Sequence, residues 1–292
     1  MLNLWRSVVT TVVRPYIHRE LPGWGRLFRI AVGDYRREWL WQGKSAVVVD
    51  KNTGYALALD LGWWSDRMTY FLGRWYDLQA QLVIREHVKS GETVVDVGAN
   101  RGMFALYASK QVGPQGVVIC FEPNPSCLNV LEGTLSRNSI TNIEVIGKGL
   151  SDRAETLNLI VPESDTGIGT FAAYDQSVPQ RAVSCEVVLG DDALRDISPN
   201  FVKIDVEGFE PKVIQGLSET IRRHRPLIYM EVVEQHLRRA GSSSREIISL
   251  MRSLGYEGRI ARLPSRRPIS CTYLQLGDEV QSDCDVLWMP RT

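Results

Sequence analysis

"VVDVGANRGMF", Val94 to Phe104, decides the fold. Apolar residues flank an aspartate, and glycines follow at 98 and 102 with Asn100 between them. This reads as a short buried strand, a tight turn and the start of a helix. Gly98 and Gly102 lack Cβ atoms, so another group can approach the main chain closely. The helix that begins near Gly102 offers unpaired N–H groups. In an open α/β sheet, a ligand at such a turn lies at the carboxyl ends of the strands.

Downstream the β-α-β pattern continues. "GVVICFE" (116–122), "IEVIGKGL" (143–150), "FVKIDVE" (201–207), "PLIYMEV" (226–232) and "CDVLWMP" (284–290) read as strands. "PSCLNVLEGTLSRN", "EPKVIQGLSETIRRH" and "SREIISLMRSLGY" read as helices between them. The alternation predicts a parallel sheet with helices on both faces. "ETLNLIV" and "AVSCEVVL" alternate instead, predicting an antiparallel insertion at about 152–190.

Upstream the texture differs. Residues 1–85 hold seven of the eight tryptophans and one hairpin signal, "SAVVVDKNTGYALALDLG", which turns at Asn52-Thr53-Gly54. We expect this segment to cover the cleft of a domain formed by 86–292. Leu2, Trp5, Val9, Val12 and Tyr16 recur at helical spacing. A helix packed on its own domain is the simpler reading, and contact with a membrane surface or a partner is the alternative.

Composition excludes several classes. Lys+Arg and Asp+Glu are both 34, so no net charge points to a nucleic-acid partner. The five cysteines are odd in number and form no C-x-x-C pair. That argues against a disulfide framework or a zinc knuckle, and for a reducing, cytoplasmic setting. No apolar run approaches the ~18 residues of a membrane span. The apolar N-terminus is interrupted by Arg6 and Arg14 and has no clear cleavage site, so no signal peptide is expected.

Four places carry candidate chemistry. Asp96 ends the first strand two residues before Gly98; a carboxylate there repels a pyrophosphate and suits a cation. S-adenosylmethionine, with its ammonium and sulfonium, fits. Glu122 lies ~20 residues past the turn, where an acid accepts hydrogen bonds from ribose hydroxyls. In "KIDVEGFE", Asp205 and Glu207 can reach a ligand, Lys203 pairs with an acid, and Glu210 starts a helix. "MEVVEQH" supplies Glu231 and His236, and histidine is the usual base for removing a hydroxyl proton.

Together, "GETVVDVGANRGMFALYAS", "FEPNP", "GLSD", "FVKIDVEGFEPKVIQGL" and "RPLIYMEV" resemble the FkbM family of S-adenosylmethionine-dependent methyltransferases, over roughly 45 to 290. The resemblance implies a class I, Rossmann-like fold: a seven-stranded, mostly parallel sheet whose last strand, "CDVLWMP", is antiparallel. It implies methylation of a hydroxyl, often on a glycan or secondary metabolite. By position, Asp96, Gly98, Ala99, Asn100 and Gly102 would line the methionine end of S-adenosyl-L-methionine. Glu122 would hold the ribose, and Ser151 and Asp152 would lie near the adenine.

The expected reaction is an in-line displacement, with Asp205, Glu207, Glu231 and His236 as the catalytic candidates. No metal is expected; Mg²⁺ held by Asp205 and Glu231 is the less favoured variant. An NAD-dependent oxidoreductase would explain Glu122 and the glycines but not Asp96. A non-catalytic cofactor-binding protein of the same fold is the third reading.

Overall fold

The computed structural model describes residues 2–33, 35–162, 169–172, 179–264 and 270–291. Two compact units emerge: Met1–Leu78 with Ser136–Asn138, and Gln79–Leu135 with Ser139–Thr292.

In the first unit, helical turns run from Leu2 to His18, with a π turn at Val9–Val13, and a further helix spans Trp24–Ala31. The expected hairpin is present: β1 (Ser45–Val49) pairs antiparallel with β2 (Ala56–Asp60). Asp50 organises its turn, accepting from the Asn52 and Thr53 amides at 2.9 Å and from the Trp75 amide at 2.8 Å. Aromatic residues form the core here: Phe71 makes edge contacts with both Phe28 and Trp41.

In the second unit, β3 (Thr93–Val97), β4 (Val117–Phe121) and β5 (Ile143–Ile146) run parallel in the main sheet. The segment "IEVIGKGL" is not one strand. It breaks at Gly147-Lys148, and β6 (Gly149–Ser151) joins a separate three-stranded sheet with β7 (Glu155–Pro162) and β8 (Gln180–Leu189). The β7–β8 pair is the antiparallel insertion; residues 163–168 and 173–178 of the expected stretch lie outside the described residues. The main sheet continues with β9 (Phe201–Ile204), β10 (Leu227–Val232), β11 (Tyr256–Arg262), β12 (Thr272–Gln275) and β13 (Cys284–Pro290).

Its order is β12-β11-β13-β10-β9-β3-β4-β5, with the five strands from β10 to β5 parallel. The last strand, β13, runs antiparallel between β10 and β11, as expected. The sheet has eight strands where seven were expected, because β12 adds antiparallel to β11 at the edge. Neither β11 nor β12 was read from the sequence. "YEGRIAR" contains a glycine and two arginines, and only Tyr256, Gly258 and Ala261 of it are buried. β3 and β9 are nearly wholly buried and therefore read as short apolar runs.

The glycines of the first turn have an internal reason. Gly98 has φ +76°, and a Cβ there would overlap the carbonyl oxygen of Asp205. Gly102 has φ +82°, and a Cβ would overlap Leu131. What approaches the main chain at Gly98 is the end of β9. Gly98→Ala is therefore expected to cost about 1–3 kcal/mol through overpacking. Gly133, in the helix Pro125–Asn138, has open space where a Cβ would go. Gly133→Ala should stabilise by about 0.5–1 kcal/mol. Urea unfolding of the two variants checks the contrast.

Candidate active site

The site is built around Lys203. Parallel pairing of β3 with β9 sets Lys203 beside Asp96. The Lys203 Nζ lies 3.2 Å from Asp96 Oδ1 and 3.3 Å from Asp205 Oδ2, and donates to the Gly98 carbonyl at 2.7 Å. Asp96 is wholly buried and Lys203 only 8 % exposed. Burial pushes the Asp96 carboxyl above its ordinary range. Burial alone would lower the Lys203 ammonium, but Asp205 and Asp96 outweigh it and hold it above its ordinary value. The ammonium thus ties the end of β3, the glycine turn and the end of β9 together.

The turn is also held from β4. The amides of Gly98 and Ala99 donate to the Phe121 carbonyl at 2.9 and 3.1 Å. Asn100 is left-handed, with φ +51°, a conformation that asparagine tolerates better than most residues. Its amide donates to Glu122 Oε2 at 2.7 Å, and the Asn124 amide donates to Oε1 at 2.7 Å. Glu122 is buried, and desolvation pushes its carboxyl up to about 7 despite these bonds. Each oxygen keeps acceptor capacity for another donor.

These residues face a cleft. Gly98, Asn100, Glu122 and Pro123 line one part, and Asp205, Val206 and Glu207 another. Leu159, Gly169 and Phe171 line it from the β7 side. Asp205 is the carboxylate that Lys203 leaves partly open, its side chain 37 % exposed.

Beyond Asp205 the loop turns sharply. Glu207 has φ +53° and Gly208 φ +101°. A Cβ at Gly208 would overlap the His236 carbonyl, so only glycine lets this loop approach the helix Glu234–Arg239 so closely. The result is a contact of 2.7 Å between Glu207 Oε2 and His236 Nδ1. The hydrogen bond that His236 donates to Glu207 raises the His236 pKa above its ordinary value. Glu210 is buried and accepts from the Val206 and Gly208 amides at 3.2 and 3.1 Å. Desolvation leads in pushing its carboxyl up to about 7.

Glu231, at the end of β10, is pushed up to about 9 by burial and by Asp205, Glu207, Asp285 and Glu210 around it. Glu207, Glu231 and His236 offer ligand atoms within 4.8 Å of one another, a spacing that would admit a divalent cation. The Glu207–His236 contact is satisfied as an ion pair without one.

The sequence candidates therefore divide. Gly98, Asn100, Glu122, Asp205 and Glu207 meet at the cleft, with His236 joined to it through Glu207. Asp96 faces Lys203 rather than the cleft. Ala99 is buried beneath the turn, and Gly102 caps the helix Met103–Val112. Ser151 is buried in β6 and donates to Asp152, which lies 3.8 Å from Arg153. Phe171 and Leu159 were not among the candidates. They lie in the insertion, where no motif marks them. Lys203 carried a signal, a lysine inside an otherwise apolar strand, but only the register shows what it joins.

A mostly parallel sheet whose last strand is reversed, a glycine turn after β3 and an acid after β4 define a class I, Rossmann-like methyltransferase domain. The chain belongs to the FkbM methyltransferase family: the profile described as Methyltransferase FkbM domain matches residues 96–257, more than half of it. Among its relatives is methyltransferase sdnD of Sordaria araneosa, 29 % identical over 211 residues, covering 58 % of this chain and 79 % of that protein. Hexuronic acid methyltransferase AglP of Haloferax volcanii is 24 % identical over 184 residues, covering 62 % and 70 %. The crystal structure of methyltransferase FkbM from Methylobacillus flagellatus aligns with a TM-score of 0.46 at 16 % identity. That alignment covers 90 % of this chain and 60 % of the other.

Two outcomes follow from the electrostatics. Lys203→Met should cost about 3–5 kcal/mol, because two carboxylates lose their buried partner. Adding Asp96→Asn should recover part of that loss in urea unfolding. Glu231 holds its proton in the folded state up to about 9, against 4.5 ordinarily. The folded state binds the proton more tightly, so stability falls as pH rises through this window. Glu231→Gln removes that slope. Its gain in Tm over the parent should grow from pH 5 to pH 8, and parallel pH profiles would contradict the assignment.

Proposed function

We propose that this protein transfers the methyl group of S-adenosyl-L-methionine to a hydroxyl of a glycan or secondary metabolite. The observation that carries this reading is the cleft itself. One wall is a glycine turn with a ribose-type acid, and the other presents Asp205 and the Glu207–His236 pair. When bound, S-adenosylmethionine supplies an electrophilic methyl on a sulfonium. Asn100 and Gly98 would seat its methionine end, Glu122 would accept from the ribose hydroxyls, and Asp205 would face its positive charge.

The Glu207 carboxylate makes the donor tautomer at His236 Nδ1 the favoured one, which leaves Nε2 free to accept a proton. His236 would then take the proton of the acceptor hydroxyl as that oxygen is methylated. Glu207 orients the ring and stabilises the imidazolium that results. A glycan acceptor is supported by the hexuronic acid methyltransferase among the relatives. A dinucleotide fits less well, because Asp205 and Glu207 would face its pyrophosphate. All five cysteines are thiols and not disulfides, which suits a reducing, cytoplasmic setting.

The test is turnover on a panel of hydroxyl acceptors, including neutral sugars, uronic acids and polyketide alcohols, with products identified by mass spectrometry. His236→Ala should lower kcat by about 10²–10⁴-fold. Only neutral His236 accepts a proton, so turnover should rise with pH through its pKa, above the ordinary imidazole value of 6.5. Glu207→Gln should move that limb to lower pH, and a chelator should leave turnover unchanged. Undiminished turnover in His236→Ala would overturn the base assignment. Methylation of amines with no hydroxyl product would overturn the acceptor class.

A further inference from the structure

The N-terminal helical segment Leu2–His18 has two apolar faces. One packs inside its own unit, where Val9 is 3 % exposed and Ile17 fully buried. The other looks outward: Leu4 is 72 %, Val8 49 % and Val12 67 % exposed. Four residues overshoot a full turn in an α-helix and fall short of one in a π turn. The π turn at Val9–Val13 therefore keeps Leu4, Val8 and Val12 close to one line.

The charged side chains within this segment turn away from the stripe. Arg6 donates to the Leu40 carbonyl at 2.6 Å, and Arg14 donates to the Tyr70 carbonyl at 3.1 Å while lying over the Tyr70 ring. Every exposed residue from Leu2 to Tyr16 is uncharged. Three hydroxyls of this segment are already satisfied: Thr10 and Thr11 bond back to the carbonyls of Arg6 and Ser7, and Tyr16 donates to the Pro22 carbonyl. Such back-bonding lowers the penalty for taking them out of water.

Electrostatics point to the occupant. Residues 2–33 hold five arginines and one acid, Glu20, in a chain whose charges balance as a whole. Glu20 is neutralised by Lys51 and Arg74 at 2.8 and 2.7 Å. Arg19, Arg26 and Arg29 are exposed. An apolar stripe within a basic segment suits lipid acyl chains flanked by anionic headgroups. A second copy fits worse: three separate side chains fall far short of the roughly 800 Å² per partner of a standard interface, and the arginines would repel.

We propose that the Leu2–His18 segment docks this protein on an anionic membrane surface. The test is co-sedimentation of the full chain with phosphatidylcholine vesicles, with and without phosphatidylglycerol, for the parent and a Leu4→Glu/Val12→Glu variant. Both substituted positions are exposed, so thermal unfolding should not change. The parent should pellet with the anionic vesicles, less with neutral ones, and less at high salt. The variant should bind at least ~10-fold more weakly, having lost two buried apolar side chains. No vesicle binding by the parent would overturn the proposal, as would equal binding by the variant. Self-association in ultracentrifugation that the variant abolishes, without lipid binding, would assign the face to a second copy instead.

Discussion

A lysine inside a buried strand must bring its counter-charges with it. Lys203 meets that constraint by drawing Asp96, Asp205 and the Gly98 carbonyl onto one ammonium. Its consequences run through the second unit. The ends of β3 and β9 are locked side by side, and the Asp205 carbonyl comes so near Gly98 that no Cβ fits there. The glycine turn and the acidic loop, about a hundred residues apart in the chain, are one piece of structure. The cleft exists because they are.

The same closeness concentrates negative charge. Glu122, Glu210 and Glu231 all have raised pKa values, each chiefly through burial. Glu122 and Glu210 are compensated by backbone amides, and each ties down its loop. Among the described residues, Glu231 has no such compensation, and Glu207 holds a left-handed backbone beside it. A left-handed backbone at Glu207 and a buried carboxyl at Glu231 that no amide offsets fall at one place, as at a reactive site, at a cost in stability met elsewhere in the fold. The apolar core under β9 and β10, with Ile204, Met230 and Trp288 almost wholly buried, supplies that stability.

Much of this was legible beforehand, for physical reasons. Strands buried on both faces write themselves as apolar runs, so "TVVDV" and "FVKI" were plain, and so was the reversed "CDVLWMP". "YEGRIAR" hid β11 because its outward positions are charged, and "IEVIGKGL" hid a change of sheet at Gly147-Lys148. The cleft residues Asn100, Glu122, Asp205 and Glu207 follow from motifs at strand ends. Asp96 was legible as important but not in its role, since its partner is set by strand register and not by spacing. Phe171 and Leu159 could not be found, because an insertion contributes to a cleft through tertiary packing alone. The N-terminal helix buries Val9 and Ile17 within its own unit, the simpler of its two readings.

In the function proposed above, the cleft between the Gly98 turn and Asp205 holds S-adenosylmethionine. Calorimetric titration of the purified protein with S-adenosylmethionine, its demethylated product and NAD addresses it directly, with Glu122→Ala in parallel. One site for both adenosyl compounds, weakened by Glu122→Ala, with no heat from NAD, is the expected result. Tight NAD binding with none of S-adenosylmethionine would contradict the account.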